Sequence, residues 1–379
     1  MTKAEGNKPA QTELKADTKV TTGGRNPHAH HGYVNTPVYH ASTLLYRSAE
    51  DYLAQKSQYH YGRRGTPTSE ALEKAIQEIE GSACAAVALL PSGLAAVSTA
   101  LLTALKSGDH VLVTDSVYGP TRTFCDTVLT RCGVTTTYYD PLIGAGIAAV
   151  MQPNTRAVFA EAPGSLTFEM QDIPAIAAAA HKNNALVLMD NTWAGPLHFK
   201  ALENGVDLAI QSGSKYIGGH SDMTLGTVSA NKAAAQRLKD TTYAMGLCVG
   251  PDDMFLALRG LRTLAVRLRQ QPSVRPEDRT MVRATPGGVE GALPGAARRA
   301  GSRHLEARLH WRLRLVFDRA EARARAGGAG FPQCAIGLRH RRVLGRLREP
   351  RDSLVRSGAL SHRDEIRPRR PDGPLPRRA

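Results

Sequence analysis

The chain has no apolar run approaching the roughly 18 residues of a membrane helix, which excludes a helical transmembrane span. Met1 to Gly32 is polar, is broken by glycine and proline and holds no apolar core, so no secretory leader is expected. The five cysteines, Cys84, Cys125, Cys132, Cys248 and Cys334, are odd in number, scattered and without a Cys-x-x-Cys pair. That pattern excludes a disulfide framework and fits free thiols in a reducing, cytoplasmic setting. His28, His30 and His31 lack regular ligand spacing with a carboxylate or cysteine partner, so no metal is expected.

A second absence is confined to one end. Residues 271–379 contain no lysine, tyrosine or asparagine, whereas the first 270 hold 12 lysines and 11 tyrosines. The last 109 residues carry 25 arginines against 11 acidic residues, a net +14 of the chain's +15. The basic charge is therefore a property of the tail. Its only aromatics are Trp311, Phe317 and Phe331, too few for the interleaved stacking of single-strand binders, so the charge does not point to nucleic acid. Lysine, tyrosine and asparagine share A/U-rich codons. A GC-rich gene read in a shifted frame loses them and gains arginine, glycine, alanine and proline. We read the segment after about Arg269 as such a frameshifted translation. The competing reading is a natural basic extension, in a non-catalytic protein whose tail contacts RNA or acidic surfaces with a steep salt dependence.

What the first 270 residues do contain is alternation of short apolar strands with amphipathic helices. Thr66-Pro67-Thr68-Ser69 leads into a helix with Leu72, Ile76 and Ile79 on one face, stopped by Gly81. Strands are expected at 85–90, 110–114, 135–139, 157–160, 186–189 and 208–210. Helices are expected from Gly93 to about Leu105, over 121–131 and 173–182, and from Pro251 onward. Such alternation implies a mostly parallel sheet covered by helices on both faces. Ligands of such sheets collect at the carboxyl ends of the strands.

Five short segments fall at those ends. Ser212-Gly213-Ser214-Lys215 follows a strand, placing an amine and small hydroxyls where an aldehyde cofactor and its phosphate can be held. Asp190 ends an apolar strand, where an unpaired carboxylate is costly and a protonated ring nitrogen is a natural partner. Gly93, in Pro91-Ser92-Gly93-Leu94, opens a helix whose N–H groups suit a phosphate. Tyr118 can stack on a flat ring. Tyr61-Gly62-Arg63-Arg64 supplies arginines suited to anions. Each segment alone also reads as ordinary: a surface lysine, a capping Asp, a common turn, a loop tyrosine, a solvated basic loop.

Their order and spacing resemble the Cys/Met-metabolism family of pyridoxal-phosphate (PLP) enzymes, over about Gly32 to Leu268. The wording of YGRRGTPT (61–68), MDNTWA (189–194) and GGHSD (218–222) is similar to the β-lyase branch, with a γ-lyase as the alternative. The resemblance implies a fold-type-I, transferase-like α/β large domain, PLP as cofactor and an amino-acid thioether as substrate. It implies that Lys215 is the Schiff-base lysine and proton shuttle, that Asp190 pairs with the ring nitrogen and that Tyr118 stacks on the ring. Gly93, Leu94, Ser212 and Ser214 would bind the phosphate. Tyr61 and Arg63 would reach the site of a neighbouring subunit in a homo-oligomer, a dimer of dimers. The expected domains are an N-terminal arm (1–60), a PLP-binding domain (61–250), a connecting helix (251–270) and the aberrant basic tail (271–379). The tail stands where the family's small C-terminal domain belongs. The Ser-Trp-Gly-Gly segment of that domain, and its arginine for the substrate carboxylate, find no match here.

Overall fold

The computed structural model describes residues 14–273. The readings made of the arginine-rich tail lie outside those residues. In chain order the elements are α1 (Ala16–Thr22), α2 (Ala49–Leu53), α3 (Pro67–Glu80), β1 (Ala86–Leu90), α4 (Gly93–Ala104), β2 (His110–Thr114), α5 (Gly119–Phe124), β3 (Thr135–Tyr139), β4 (Thr155–Glu161), α6 (Ile173–Lys182), β5 (Leu186–Asp190), α7 (Gly195–His198), β6 (Leu208–Ser212), β7 (Gly226–Ala230), α8 (Ala235–Ala244) and α9 (Pro251–Ser273).

The α3 boundaries follow from local chemistry. Thr66 Oγ1 accepts the Ser69 N–H at 3.3 Å, and Ser69 Oγ accepts the Thr66 N–H at 2.9 Å. This reciprocal cap sits before Pro67, which loses no helical hydrogen bond at the first position. Gly81, at φ +101°, ends the helix in a conformation that side chains disfavour.

The strands form one seven-stranded sheet in the order β1-β7-β6-β5-β4-β2-β3. β7 is antiparallel to both neighbours and the other pairings are parallel. Six carboxyl ends therefore share one edge, and β7 enters at that edge, with Gly226 opposite Leu90 and Ser212. Side chains alternate between two cores, as the pleat requires. In β4, Val158 and Ala160 pack on the side of α3, α6 and α9, while Ala157 and Phe159 pack on the side of α4. Both faces are covered, so the middles of β4 and β5 are apolar and their polar residues stand at the strand ends.

The expected helix over 121–131 starts earlier, at Gly119, and passes into a π turn at Cys125–Leu129. The polar N-terminal stretch holds α1, which packs against the same body. Arg262 donates to the carbonyls of Val20 and Gly23, Arg269 pairs with Asp17, and Val20 is buried. No helix among the described residues is long and apolar enough to cross a membrane.

Candidate active site

The carboxyl edge of the sheet gathers the chemistry. β6 ends at Ser212, and the turn after it is tied by the Lys215 N–H to the Ser212 carbonyl (3.1 Å) and the Gly219 N–H to the Lys215 carbonyl (2.8 Å). These bonds present the Lys215 side chain outward. Its Nζ stands 5.7 Å from the centroid of the Tyr118 ring, within reach of a cation–π attraction. Tyr118 follows β2 and stands at the N-cap of α5.

Asp190 closes β5, and its Oδ1 accepts the Thr192 N–H at 2.9 Å. Thr192 in turn accepts the Ser212 N–H at 2.8 Å, joining the ends of β5 and β6. Burial first, then the charges of Asp190 and Glu161, raise the Tyr118 hydroxyl above its ordinary value. Tyr118 is thus kept a neutral phenol, with its ring available.

Gly93 is the first residue of α4, after Ser92, whose Oγ accepts the Ala95 N–H at 3.1 Å. A Cβ at Gly93 would lie 2.6 Å from Ser212 Oγ and 2.7 Å from Ser212 Cβ. The absent side chain is what lets the α4 N-terminus touch the end of β6. Leu94 is exposed beside it. Ser214 is committed differently. Its Oγ accepts the Leu225 N–H at 2.9 Å and donates to the Leu225 carbonyl at 3.3 Å, so the hydroxyl shapes the Lys215 turn.

Tyr61 and Arg63 are not brought to this group. Arg63 Nη1 donates to the Tyr243 carbonyl at 3.1 Å, and its guanidinium lies 6.0 Å from the Tyr61 ring. Among the described residues, neither makes a hydrogen bond or ring contact with Lys215, Asp190 or Tyr118. Both have exposed surface available to a second chain.

One member of the group went unread in the sequence. Glu161 ends β4 in register with Asp190 on β5. Its Oε2 accepts the Tyr118 N–H at 2.7 Å. Burial first, and the neighbouring Asp190 second, push its carboxyl well above the usual carboxylate range, while the Tyr118 N–H and Lys215 pull the other way. Reading the strand only to Ala160, its last apolar residue, left Glu161 out. A carboxylate directly after an apolar strand was the available signal, as it was for Asp190.

Comparison with known proteins shows the family of the chain. Residues 17–274 match the family described as Cys/Met metabolism PLP-dependent enzyme. A Rhizobium johnstonii protein named as a candidate cystathionine beta-lyase is 53% identical over 254 residues, 67% of this chain and 64% of that protein. Cystathionine beta-lyase MetC of Escherichia coli is 43% identical over 268 residues, 68% of this chain and 67% of that one. The matched stretch thus spans about two thirds of these relatives' length. A solved cystathionine gamma-lyase from Lactobacillus plantarum, complexed with L-serine, superposes with a TM-score of 0.73 at 31% identity, covering 78% of this chain and 76% of that one. The sheet is that of the fold-type-I PLP enzymes, and the chain belongs to the Cys/Met metabolism family of PLP-dependent enzymes.

Proposed function

We propose that the chain holds PLP through Lys215 and is a carbon–sulfur lyase that cleaves L-cystathionine to homocysteine, pyruvate and ammonia. The observation that carries the reading is the Lys215 amine over the Tyr118 ring, at a strand edge that also bears Asp190. The donor set suits the cofactor. Gly93 and Leu94 open α4, so their N–H groups lack helical partners and face outward at the helix's positive end, as a phosphate requires. Ser212 adjoins them. A carboxylate at the end of a buried strand suits a protonated pyridine nitrogen, and a neutral phenol ring suits its flat face.

When bound, PLP supplies an electron sink for the charge left at the substrate's α-carbon. The chain's residues do the rest. With PLP bound, Lys215 Nζ would anchor it and, once free, would take the proton from the substrate's α-carbon. Asp190 would hold the ring nitrogen in its protonated form. The Tyr118 ring would pack on the cofactor's flat face and orient it against the substrate. Tyr61 and Arg63 serve the phosphate of a neighbouring subunit, which makes a homodimer the minimal unit. We assign 61–250 to the cofactor-binding domain, flanked by the arm (1–60) and the connecting helix (251–270), and place the enzyme in the cytoplasm. No residue is assigned to the substrate carboxylate.

The test is product analysis with cystathionine. Release of pyruvate and homocysteine supports β-elimination. Release of 2-oxobutyrate would assign the chain to γ-elimination. Salt-sensitive RNA binding, with none of these products and no cofactor bound, would favour the non-catalytic reading.

A further inference from the structure

Glu161 has no part in the chemistry set out above, yet it touches that chemistry on several sides. It ends β4 opposite Asp190 of β5. Its Oε2 takes the backbone N–H of Tyr118 at 2.7 Å. The loop that follows Glu161 adds a second bond to the same turn, from the Ser165 N–H to the Ser116 carbonyl at 2.8 Å. The Tyr118 turn is otherwise held by the Val117 N–H to the Thr114 carbonyl, the Arg122 N–H to the Tyr118 carbonyl (3.2 Å), the Asp115 N–H to the Tyr139 carbonyl of β3 (2.9 Å) and a Thr114–Ser116 hydroxyl contact of 3.1 Å. Those bonds tie the turn to itself, to α5 and to β3, not to the sheet edge beside Asp190. Glu161 ties it there.

We propose that Glu161 is a positioning residue: its side chain pins the backbone of Tyr118 beside Asp190 and thereby sets the plane of the ring against which the cofactor is held. The proposal rests on the assignment of PLP to this site. Glu161 retains a little surface, yet its carboxyl lies deep in the protein. Two carboxylates side by side on adjacent strands repel, and burial favours the neutral form of the more enclosed one. A neutral carboxyl still accepts the Tyr118 N–H through its carbonyl oxygen. The acceptor, not the charge, is then what matters at position 161.

Glu161→Gln keeps an acceptor oxygen and can never be charged. Glu161→Ala removes the acceptor, and Glu161→Met removes it while keeping the volume, in case the alanine variant does not fold. The first readout needs no cofactor: amide hydrogen exchange of the Ser116–Gly119 segment in the apoprotein. Exchange should quicken about tenfold in the alanine and methionine variants, the size of one lost hydrogen bond, and stay at the wild-type rate in the glutamine variant. The second is titration with PLP, followed by visible absorbance and the circular dichroism that the bound ring acquires. Affinity should fall roughly tenfold in Glu161→Ala and Glu161→Met, with loss of dichroism, and hold within about twofold in Glu161→Gln. Wild-type exchange and dichroism in the alanine and methionine variants would overturn the proposal. A glutamine variant as impaired as alanine would also overturn it, because the charge would then be the working feature. If the wild-type protein shows no cofactor band, the PLP assignment itself fails, and the exchange result still separates that failure from this one.

Discussion

Gly93→Ala places a methyl group where the end of β6 already stands. Its Cβ would meet Ser212 Oγ at 2.6 Å, Ser212 Cβ at 2.7 Å and Ser212 Cα at 3.2 Å. Carbon atoms pack comfortably at about 3.5–4.0 Å, so α4 and β6 must separate by nearly 1 Å. Overpacking of this kind costs about 1–3 kcal/mol. Better helix propensity of alanine returns under about 1 kcal/mol at the first turn. The expected net loss is about 1–2 kcal/mol in chemical denaturation of the apoprotein. The same separation moves the α4 N–H groups away from Ser212, so PLP affinity should fall by at least about tenfold. A second substitution isolates the contact. Ser212→Gly removes the two closest atoms and leaves only the 3.2 Å approach to Cα. In the Gly93→Ala background it should recover most of the lost stability, a coupling of about 1 kcal/mol or more in the double-mutant cycle. Cofactor affinity should stay low, since the hydroxyl is gone. Additive stability losses would refute the contact. Full recovery of affinity would refute the place of Ser212 at the phosphate.

Three further outcomes are expected. Glu80 is fully buried, with Oε1 accepting from Gln211 at 3.0 Å and from Ser229 at 3.3 Å, and burial above all raises its carboxyl from 4.5 to about 7. For an acid raised on folding, the cost is absent below about pH 4.5, grows as pH rises towards 7 and is complete above it, at about 3 kcal/mol. Glu80→Gln should therefore stabilise the protein at pH 8 and be near neutral at pH 5; equal destabilisation at both values in urea titrations would contradict this. Resequencing the gene around codon 270 should reveal a frame change; an intact frame throughout would end that reading. Restoring the frame should raise cystathionine turnover by at least about a hundredfold without changing PLP affinity, because a bidentate arginine for the substrate carboxylate would return. Equal turnover by both proteins would contradict it.

Much of the sheet was legible because its signals are local. β2 and α6 end where an apolar run meets polar residues, and β3 is a run of β-branched and aromatic residues set between Gly133 and Asp140. β4, β5 and β6 each extend one or two residues further than their apolar runs, to Glu161, Asp190 and Ser212. Those terminal residues hold the carboxyl edge, so stopping at the last apolar residue costs site residues, and Glu161 was lost that way. β7 escaped because Gly226–Ala230 is short and small; Gly226 is required there by the Ser92 carbonyl, which a Cβ would meet at 2.0 Å. α8 is polar, with Leu238 as its main buried apolar residue, and α1 buries only Val20, so neither carries a strong period. Lys215, Tyr118 and Asp190 were readable because each follows or ends a strand. That Ser214 spends its hydroxyl on Leu225 was not, since the partner lies 11 residues away across a turn.

Lys215 is the residue through which the chain is proposed to hold its cofactor. Borohydride reduction in the presence of PLP, followed by peptide mapping, tests it among the 12 lysines. A single stoichiometric adduct on Lys215, abolished in Lys215→Ala, is the expected result; an adduct on another lysine, or one that persists in the alanine variant, would contradict the account.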